Sequence, residues 1–472
     1  MSTKATLKKR LVNSVGYCHF HATAVTLKKG GAVKERFSSR LCHSSSVISE
    51  FVYNVHNNLP MNTFASFKTS QYRILWVFNL LSYISWYGQV TAYGWIVAEI
   101  TSSSFYVSLV GFFGMFPMFV LGIVAGYLAD IWNRQKILLF TQITCLIGVS
   151  LMLIVVSLDL LEFWHCYIAA LIMGIGYSVE MPSRRSMVHD ILHETGSTNG
   201  FALDSVAMSS SASIGPMMAG AIIGISTFYG NHLVFIVLII LHLCACGLML
   251  NLRVEPRKQS DKQVDRSINI IEGIKYVSSN QLILSVILIT FIMNLFLFSY
   301  SHLIPIIAKQ VLFLGPTKMG TLQGMFGVGA LAGALLVASI PKITRHGLIF
   351  IGGCFVTFLA LLGLGISESY YFSLVALAVL GVGAAGFGTM QAAIVVLVAD
   401  IDYRGKVLGV VSLAIGTGPF GAIIIGISAT FFNPSLALII NSVIGLTSLT
   451  LLIFVVPSLL KITPLNSDKV VK

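Results

Sequence analysis

Charged residues are scarce in this chain: Asp, Glu, Lys and Arg make up 10% of its 472 residues, whereas 56% are hydrophobic. This balance excludes an ordinary soluble globule. Acids are scarcer than bases, which gives a formal net charge of +12. A nucleic-acid binder would gather its bases in one patch, but here they fall in short segments between apolar runs, as topology signals do. The composition predicts a polytopic membrane protein that binds no nucleic acid.

Several motifs that signal chemistry are missing from the sequence. Without a P-loop, an HExxH motif or a nucleophile elbow, nothing indicates an ATP-driven pump or a hydrolase. The seven cysteines form no CxxC pair. An odd set without framework spacing, mostly inside apolar runs, is typical of small core residues. We therefore predict no enzyme activity, no cofactor and no bound metal.

The N-terminal segment is unlike the rest of the chain. Residues 1–60 are polar and carry nine Lys and Arg against two acids. We predict that residues 1–71 form a disordered extension. Its composition resembles an organellar transit peptide. Because Met61 stands just before the first apolar run, a start at that residue is an equal alternative.

Twelve apolar runs follow, each about 18 to 28 residues long, which suits a hydrocarbon core about 30 Å thick. The sequence therefore predicts an all-α membrane protein. The predicted spans are 73–98, 105–128, 137–158, 163–181, 200–225, 232–251, 281–307, 318–340, 347–366, 371–398, 406–429 and 435–457. The predicted organisation is an N-terminal half at 72–251, a linker at 252–280, a C-terminal half at 281–457 and a tail at 458–472.

The basic residues predict the orientation. If helix 1 starts in the cytoplasm, nineteen Lys and Arg after residue 60 lie on the inner side and only Lys309 and Lys318 on the outer side. This bias predicts that both termini are cytoplasmic. Residues 268–277 of the linker space their apolar side chains as a surface helix does, so we expect an amphipathic helix on the inner leaflet.

The two halves repeat each other. Gly215-Pro216 and a following Gly-Ile-Ser in helix 5 recur as Gly418-Pro419 and a Gly-Ile-Ser in helix 11. Such an echo predicts two six-helix pseudo-repeats. Proline removes a backbone hydrogen bond and glycine permits close contact, so these four residues are predicted to let helices 5 and 11 bend or rock.

The segment between helices 2 and 3 reads Gly126-Tyr127-Leu128-Ala129-Asp130-Ile131-Trp132-Asn133-Arg134-Gln135-Lys136. Its spacing closely resembles the loop signature of the major facilitator superfamily of transporters. The resemblance implies the major facilitator fold with twelve transmembrane helices, and a gating role for Gly126, Asp130, Arg134 and Lys136. Asp130 meets the negative end of its own helix dipole, which costs up to about 1 kcal/mol, so it needs a positive partner. Arg134, Lys136 or a neighbouring helix N-terminus would serve.

Further segments resemble one exporter branch of that superfamily, which contains the enterobactin exporter and macrolide efflux proteins. They are 95–103, 182–185, 271–276, 304–308 and 404–407. The resemblance implies export of an amphipathic small molecule, siderophore- or drug-like, by alternating access and proton antiport. A role in multidrug resistance is part of the same expectation. Gly88 is followed by Gln89 where such members often carry an acid, so proton coupling through helix 1 is doubtful. An importer of a small organic solute or metal chelate is the alternative, and a non-transporting receptor a weaker one.

Polar and aromatic residues inside the spans are candidates for a substrate cavity. On helix 1 they recur at helical spacing, which a lipid-facing stripe does not need. An interfacial aromatic belt is the alternative for the aromatic rings, and simple helix–helix bonding is the alternative for the amides. The candidates are Asn79, Tyr83, Trp86, Gln89, Tyr93, Gln142, Asn294, Phe298, Ser301, Gln323 and Gln391.

Ionisable residues inside a span are rare because each costs about 3 kcal/mol or more at the bilayer centre. Glu180 lies one turn before Arg184, which favours an ion pair, and Asp204 has no such neighbour. His302 has an imidazole suited to a proton switch but lies near the outer end of helix 7. These four residues are the coupling candidates, although Glu180 and Asp204 could instead only stabilise the inward loops.

The partners that we expect are a small-molecule substrate, a proton as coupling ion and the lipid bilayer, with a monomeric protein. The expected location is a plasma membrane, the bacterial inner membrane first, or an organellar membrane if the extension is a transit peptide.

Overall fold

The computed structural model describes residues 64–225, 230–252, 270–340, 343, 345–400 and 403–461, without the side chains of 123–127, 129–131, 194–195, 230, 270–271, 458 and 461. All regular elements in these ranges are helices. Residues 1–63, most of the linker and the tail from residue 462 onward lie outside the described residues. The disorder predicted for the extension falls mostly on these residues and stays a prediction.

The first half contains six transmembrane helices. Helix 1 is Ser70–Thr101, helix 2 is Ser104–Ile131 and helix 3 is Arg134–Ser157. The stretch Phe163–Ile225 is interrupted at His193, where φ is 54°, so it comprises helix 4 at 163–192 and helix 5 at Gly196–Ile225. Helix 6 is Gly230–Asn251.

The linker helix, Ile270–Ser279, leads into six further helices. Helix 7 spans Gln281–Val311 and changes from α-helix to π turns at Met293–Leu297 and Ile307–Val311. Helix 11 spans Arg404–Phe432 and is broken between Ile415 and Gly418. The remaining helices are helix 8 at Pro316–Ala338, helix 9 at His346–Ile366, helix 10 at Tyr370–Val398 and helix 12 at Pro434–Val455. The predicted all-α fold of twelve transmembrane helices is confirmed.

Ten of these twelve helices are long and apolar enough to cross a membrane on length and composition alone. The other two are helices 1 and 4. Their polar and aromatic side chains make them less apolar than the rest. A span that keeps polar side chains must bury them against other helices, because lipid offers them no partner. Both helices do so in the site described below.

The described residues begin at residue 64, inside the predicted extension 1–71. Residues Ala65–Lys68 form a short 3₁₀ helix, and the Ser66 backbone N–H donates to Asn199 Oδ1 at 3.1 Å. The ring of Phe67 packs edge-on against Trp76 with centroids 5.1 Å apart. Residues 64–71 therefore belong to the helical body.

The linker helix packs on the start of helix 11. Lys406 Nζ lies 2.7 Å from a carboxylate oxygen of Glu272, and its hydrogen bond lowers the pKa of Glu272. Tyr276 stacks on Tyr403 with ring centroids 4.2 Å apart and donates its hydroxyl to Asp400 at 2.9 Å. The amphipathic helix predicted at 268–277 is thus present at 270–279, and one side of it contacts protein.

The side of the molecule where the linker helix enters helix 7 is called the linker face here, and the side where helix 1 ends is called the opposite face. The halves are hydrogen-bonded at the opposite face. Lys309 Nζ donates to the Ala98 carbonyl at 2.9 Å, and Gln310 Nε2 donates to the Ser102 carbonyl at 2.7 Å. These bonds join the end of helix 7 to the end of helix 1.

Glycines let helices of the two halves approach closely at the opposite face. Gly220 of helix 5 meets Gly320 of helix 8, where a Cβ on either residue would lie within 3 Å of backbone atoms of the other. Gly224 meets Thr317 one turn further out, and Gly426 of helix 11 meets Ser108 of helix 2. Backbone contact of this kind is typical of small residues in membrane helices.

The same helix faces separate toward the linker face. Helix 5 packs on helix 8 through Ser209 and Ser213. The same face of helix 5 continues, at spacings of three or four residues, through Ser205, Phe201 and Thr198. All three side chains are exposed. Among the described residues, the contact between helices 5 and 8 therefore ends near the middle of helix 5 and lies on the side toward the opposite face.

Candidate functional site

A buried set of hydrogen-bonded side chains joins helices 1, 3, 4, 5 and 6 of the first half. We call it the polar network. Unpaired polar groups are costly in a membrane interior, and most polar atoms of this set are paired with one another, although Asn79 Oδ1 and Arg184 Nε are buried without a hydrogen-bond partner among the described residues. Its members are Asn79, Ser82, Tyr83, Gln89, Tyr93, Gln142, Glu180, Arg184, Asp204 and His242. All are at most 6% exposed except Asp204, which is half-buried.

Glu180 lies at the centre of the polar network. It pairs with Arg184, one turn later on helix 4, and the two side chains are only 3% and 2% exposed. The carboxylate also accepts from Ser82 Oγ at 2.5 Å and from Gln142 Nε2 at 3.2 Å. Removing one partner of such a buried pair costs about 3–5 kcal/mol, because the other charge is left uncompensated.

Arg184 ties helix 4 to helix 1. One guanidinium nitrogen donates to Ser82 Oγ at 2.9 Å, and another donates to the Asn79 carbonyl at 3.5 Å. The guanidinium carbon lies 4.0 Å from the centroid of the Tyr83 ring, a cation–π contact. Arg184 is therefore one of several side chains that join helix 4 to helix 1, together with Glu180 and Tyr177.

Asp204 contacts the same part of helix 1 from helix 5. Its Oδ1 accepts from Asn79 Nδ2 at 2.7 Å, and its Oδ2 accepts from the Tyr83 hydroxyl at 3.4 Å. Tyr83 thus contacts Asp204 through its hydroxyl and Arg184 through its ring.

His242, in the middle of helix 6, completes the network. Its Nδ1 lies 2.8 Å from Gln142 Oε1, and its Nε2 lies 3.0 Å from Gln89 Nε2. The Tyr93 hydroxyl donates to Gln89 Oε1 at 3.2 Å. Sequence reasoning missed His242, although a lone histidine inside a long apolar run carries the same rarity signal as a buried acid.

A small cavity of about 10 Å³, on the order of one water molecule, lies inside the network. Trp86 stacks on Tyr177 at its edge, with ring centroids 4.9 Å apart. The cavity is lined by Ser82, Trp86, Gln89, Gln142, Cys145, Met173, Tyr177, Glu180 and His242. In the part of the chain that the structure describes, no three His, Cys, Asp or Glu lie together so that they could hold a metal ion.

The candidate residues of the second half form no comparable network. Gln391 of helix 10 donates to Thr290 Oγ1 of helix 7 at 2.6 Å, and Asn294 donates to the Thr290 carbonyl at 2.9 Å. Gln323 of helix 8 accepts from the Thr91 hydroxyl of helix 1 at 2.7 Å. These amides make local or helix–helix bonds.

Two further cavity candidates, Phe298 and Ser301, are partly exposed on the 3₁₀ segment of helix 7. The ring of Phe298 lies 6.0 Å from that of Phe387, and Ser301 Oγ donates to the Phe298 carbonyl at 3.0 Å. A role of either in substrate binding stays a prediction.

The predicted gating segment forms a well-defined contact. Arg134 makes an ion pair with Asp190 near the end of helix 4, and it also donates to the Ser186 carbonyl at 3.4 Å. Lys136 is exposed, and the side chains of Gly126 and Asp130 lie outside those described. Asp190 was not predicted, because an acid in a loop-proximal helix end carries no sequence signal of its own.

His302 lies apart from the polar network. Its ring packs against Gly111 of helix 2 where the two halves meet near the opposite face.

Gly215 packs so closely on Ile84 and Tyr87 of helix 1 that a Cβ there would lie 2.8 Å from their atoms.

The Gly-Pro pairs differ between the halves. Pro216 stands inside helix 5 without breaking it, whereas Gly418 and Pro419 start the second part of helix 11, directly after its break. Bending at either pair stays a prediction.

The sequence is similar to one described family and to two bacterial transporters. Residues 61–469 match the model of a family described as transmembrane secretion effector. The Staphyloferrin A transporter of Staphylococcus aureus (strain NCTC 8325 / PS 47) is 24% identical over 365 residues, which cover 74% of this chain and 87% of that protein. An uncharacterized MFS-type transporter of Bacillus subtilis (strain 168), YfiS, is 25% identical over 315 residues, covering 63% and 72%.

Solved structures share the fold at low identity. A bacterial homologue of the human lysosomal transporter Spinster, in an inward-facing and unoccupied conformation, superposes with a TM-score of 0.60 at 15% identity, covering 83% of this chain and 95% of that one. A D-xylose–proton symporter superposes with a TM-score of 0.65 at 12% identity, covering 83% and 99%.

Proposed function

Since the chain belongs to the transmembrane secretion effector family of the major facilitator superfamily of transporters, we propose that it exports an amphipathic small molecule, siderophore- or drug-like, by alternating access coupled to proton entry. The observation that carries this proposal is the one-sided contact between the halves. A transporter that alternates must have one face sealed and the other open, with a binding site between the repeats.

The basic residues support a cytoplasmic linker face. With that orientation, the contact between helices 5 and 8 lies on the outer side, and we infer a conformation open to the cytoplasm, from which an exporter loads its substrate. The closed opposite face is held by Lys309, Gln310 and the glycine contacts of helices 5 and 8.

The substrate class is suggested by a relative. A protein named Staphyloferrin A transporter aligns with 74% of this chain, which supports a siderophore-like substrate. The aromatic side chains of Trp86 and Phe298 are partly exposed and provide apolar surface for such a molecule.

Proton coupling is supported by the polar network. Asp204 and Glu180 are carboxylates inside the membrane region, where ionisable groups are rare and mark ion pathways. Asp204 is the more accessible of the two, because it is half-buried and bound to neutral side chains.

An importer remains the second candidate, because alternating access serves both directions and the relative's name states neither. The test uses inside-out and right-side-out vesicles from a bacterial host, with radiolabelled iron-free staphyloferrin A and ethidium as probes. Export predicts that one of the probes accumulates in inside-out vesicles with an acidic lumen, and that a proton ionophore abolishes the signal. Accumulation only in right-side-out vesicles would establish import, and vesicles without the protein are the control.

A further inference from the structure

We propose that His242 is the residue that takes up the coupling proton and passes it to Glu180, which releases Arg184 to Asp204. This inference rests on the proposed function, because it assigns a role in proton-coupled transport. It starts from the position of His242 inside the polar network, where both ring nitrogens contact a glutamine.

The hydrogen bonds define the tautomer of His242. Gln142 donates its Nε2 to Ser82 and Glu180, so its Oε1 faces the histidine and accepts from Nδ1–H. Nε2 must then be the unprotonated nitrogen, and it accepts from Gln89 Nε2 at 3.0 Å. A neutral imidazole with its proton on Nδ1 therefore satisfies every contact of the ring.

Protonation of His242 breaks this match. An added proton on Nε2 would face the amide N–H of Gln89, which places two donors against each other. The Gln89 amide must then rotate, and its Oε1 leaves the Tyr93 hydroxyl that donates to it. Protonation of His242 therefore changes the hydrogen bonds of helix 1 through one glutamine, Gln89.

Glu180 is the acceptor for the proton. Both His242 and Glu180 line the small cavity, which has room for about one water molecule. The imidazolium loses the added proton from Nε2, one oxygen of the Glu180 carboxylate gains it, and the histidine returns to its neutral form with the remaining proton on Nδ1. One positive charge has moved from helix 6 to helix 4, and no other reactant is needed.

A protonated Glu180 no longer balances Arg184. The next carboxylate is Asp204, and the Tyr83 ring connects the two: Arg184 lies 4.0 Å from that ring, and the Tyr83 hydroxyl donates to Asp204. Arg184 can therefore exchange one carboxylate for the other. Because Arg184 ties helix 4 to helix 1, the exchange changes how these helices pack.

Other groups that face His242 do not compete for this role. Cys145 on helix 3 and Tyr177 on helix 4 line the same cavity, and Cys246 lies one turn along helix 6. Their thiols and hydroxyl are ordinarily uncharged near neutral pH. Helix 1 contributes Gln89 and Tyr93.

The network is long enough to carry a signal across much of the membrane. From Tyr93 to Asn79, helix 1 advances 14 residues, or about 21 Å at 1.5 Å per residue, against a hydrocarbon core of about 30 Å. In this conformation Tyr93 is fully buried, so proton uptake from the opposite face belongs to the other conformation of the cycle.

The first test needs no substrate. Purified protein carrying ¹³C-labelled histidine is titrated by NMR, and the resonance of His242 is the one that His242→Gln removes. We expect this resonance to change from neutral to protonated as the pH is lowered from about 9 to about 4, and Gln142→Leu to move its midpoint. A His242 resonance that stays neutral over the whole range would overturn the proposal.

The second test separates coupling from structure, with whichever probe the wild-type protein transports, ethidium or staphyloferrin A. His242→Gln and His242→Asn each keep one hydrogen-bonding position of the ring but cannot titrate. Both should retain probe exchange without a gradient to within twofold, and lose accumulation driven by a pH gradient at least tenfold. His346→Gln, at the start of helix 9 and outside the network, should keep both activities.

The outcomes are distinct. If at least one of the two His242 variants folds and still responds fully to the gradient, or if both lose exchange together with accumulation, His242 is not the coupling residue. If the wild-type protein itself neither exchanges nor accumulates either probe, the proposed function fails, and the NMR titration still decides whether His242 binds a proton.

Discussion

Arg184→Met is the perturbation whose cost follows most directly from the structure. The substitution removes the guanidinium but keeps most of the side-chain volume. Glu180 then retains Ser82 and Gln142 as donors at 2.5 and 3.2 Å but loses its counter-charge, while only 3% of its side chain is exposed. Breaking a buried pair in this way costs about 3–5 kcal/mol.

The double variant Glu180→Gln/Arg184→Met separates charge from packing. It leaves no buried charge at this place, and the lost hydrogen bonds cost about 1 kcal/mol each. We therefore expect it to recover more than half of the stability that Arg184→Met loses. The assay is thermal unfolding of the purified protein in detergent, together with the protein level in membranes.

A neighbouring residue provides the matched control. Arg185 is exposed, so Arg185→Met should change stability by no more than about 0.5 kcal/mol. A double variant as unstable as Arg184→Met would refute the reasoning, because the cost would then come from lost contacts and not from an unpaired charge.

Three further predictions concern the gate, the extension and coupling. Asp130→Asn should abolish transport in reconstituted vesicles while the protein stays folded and inserted, because a neutral side chain cannot anchor the gate; wild-type flux would contradict this. Deletion of residues 1–60 should leave activity intact, and loss of membrane localisation would instead identify a targeting signal. Asp204→Asn should uncouple export from the pH gradient, and Glu180→Gln should lower the protein level and leave the remaining protein uncoupled; efflux with and without an imposed gradient decides, and an Asp204→Asn protein that responds fully would be the contrary result.

The sequence was sufficient for the helices because their signal is local. A run of about 20 apolar residues has to cross the bilayer wherever it occurs, so even the polar helix 1 was located to within three residues of its observed ends. The helical break after Ile415 lies directly before Gly418 and Pro419, the pair at which the sequence predicts that helix 11 bends.

The site was only partly predictable, because its geometry depends on contacts between distant helices. Glu180 and Arg184 lie one turn apart, so their pairing could be inferred from spacing. His242 meets Gln142 across 100 positions and Gln89 across 153, and no local pattern connects such residues. In the proposed coupling, the amide Gln89 acts only through that distant histidine.

A reversible cross-link at the opposite face tests alternating access most directly. A Cβ built on Gly224 lies 3.3 Å from Thr317 Cβ, close to the roughly 3.5–4.5 Å between the Cβ atoms of a disulfide. Oxidation of Gly224→Cys/Thr317→Cys should lock helices 5 and 8 together, stop transport of the probe, and allow full recovery after reduction, while each single cysteine variant stays active. Undiminished transport with the disulfide fully formed would contradict the account, because the closed opposite face would then never need to open.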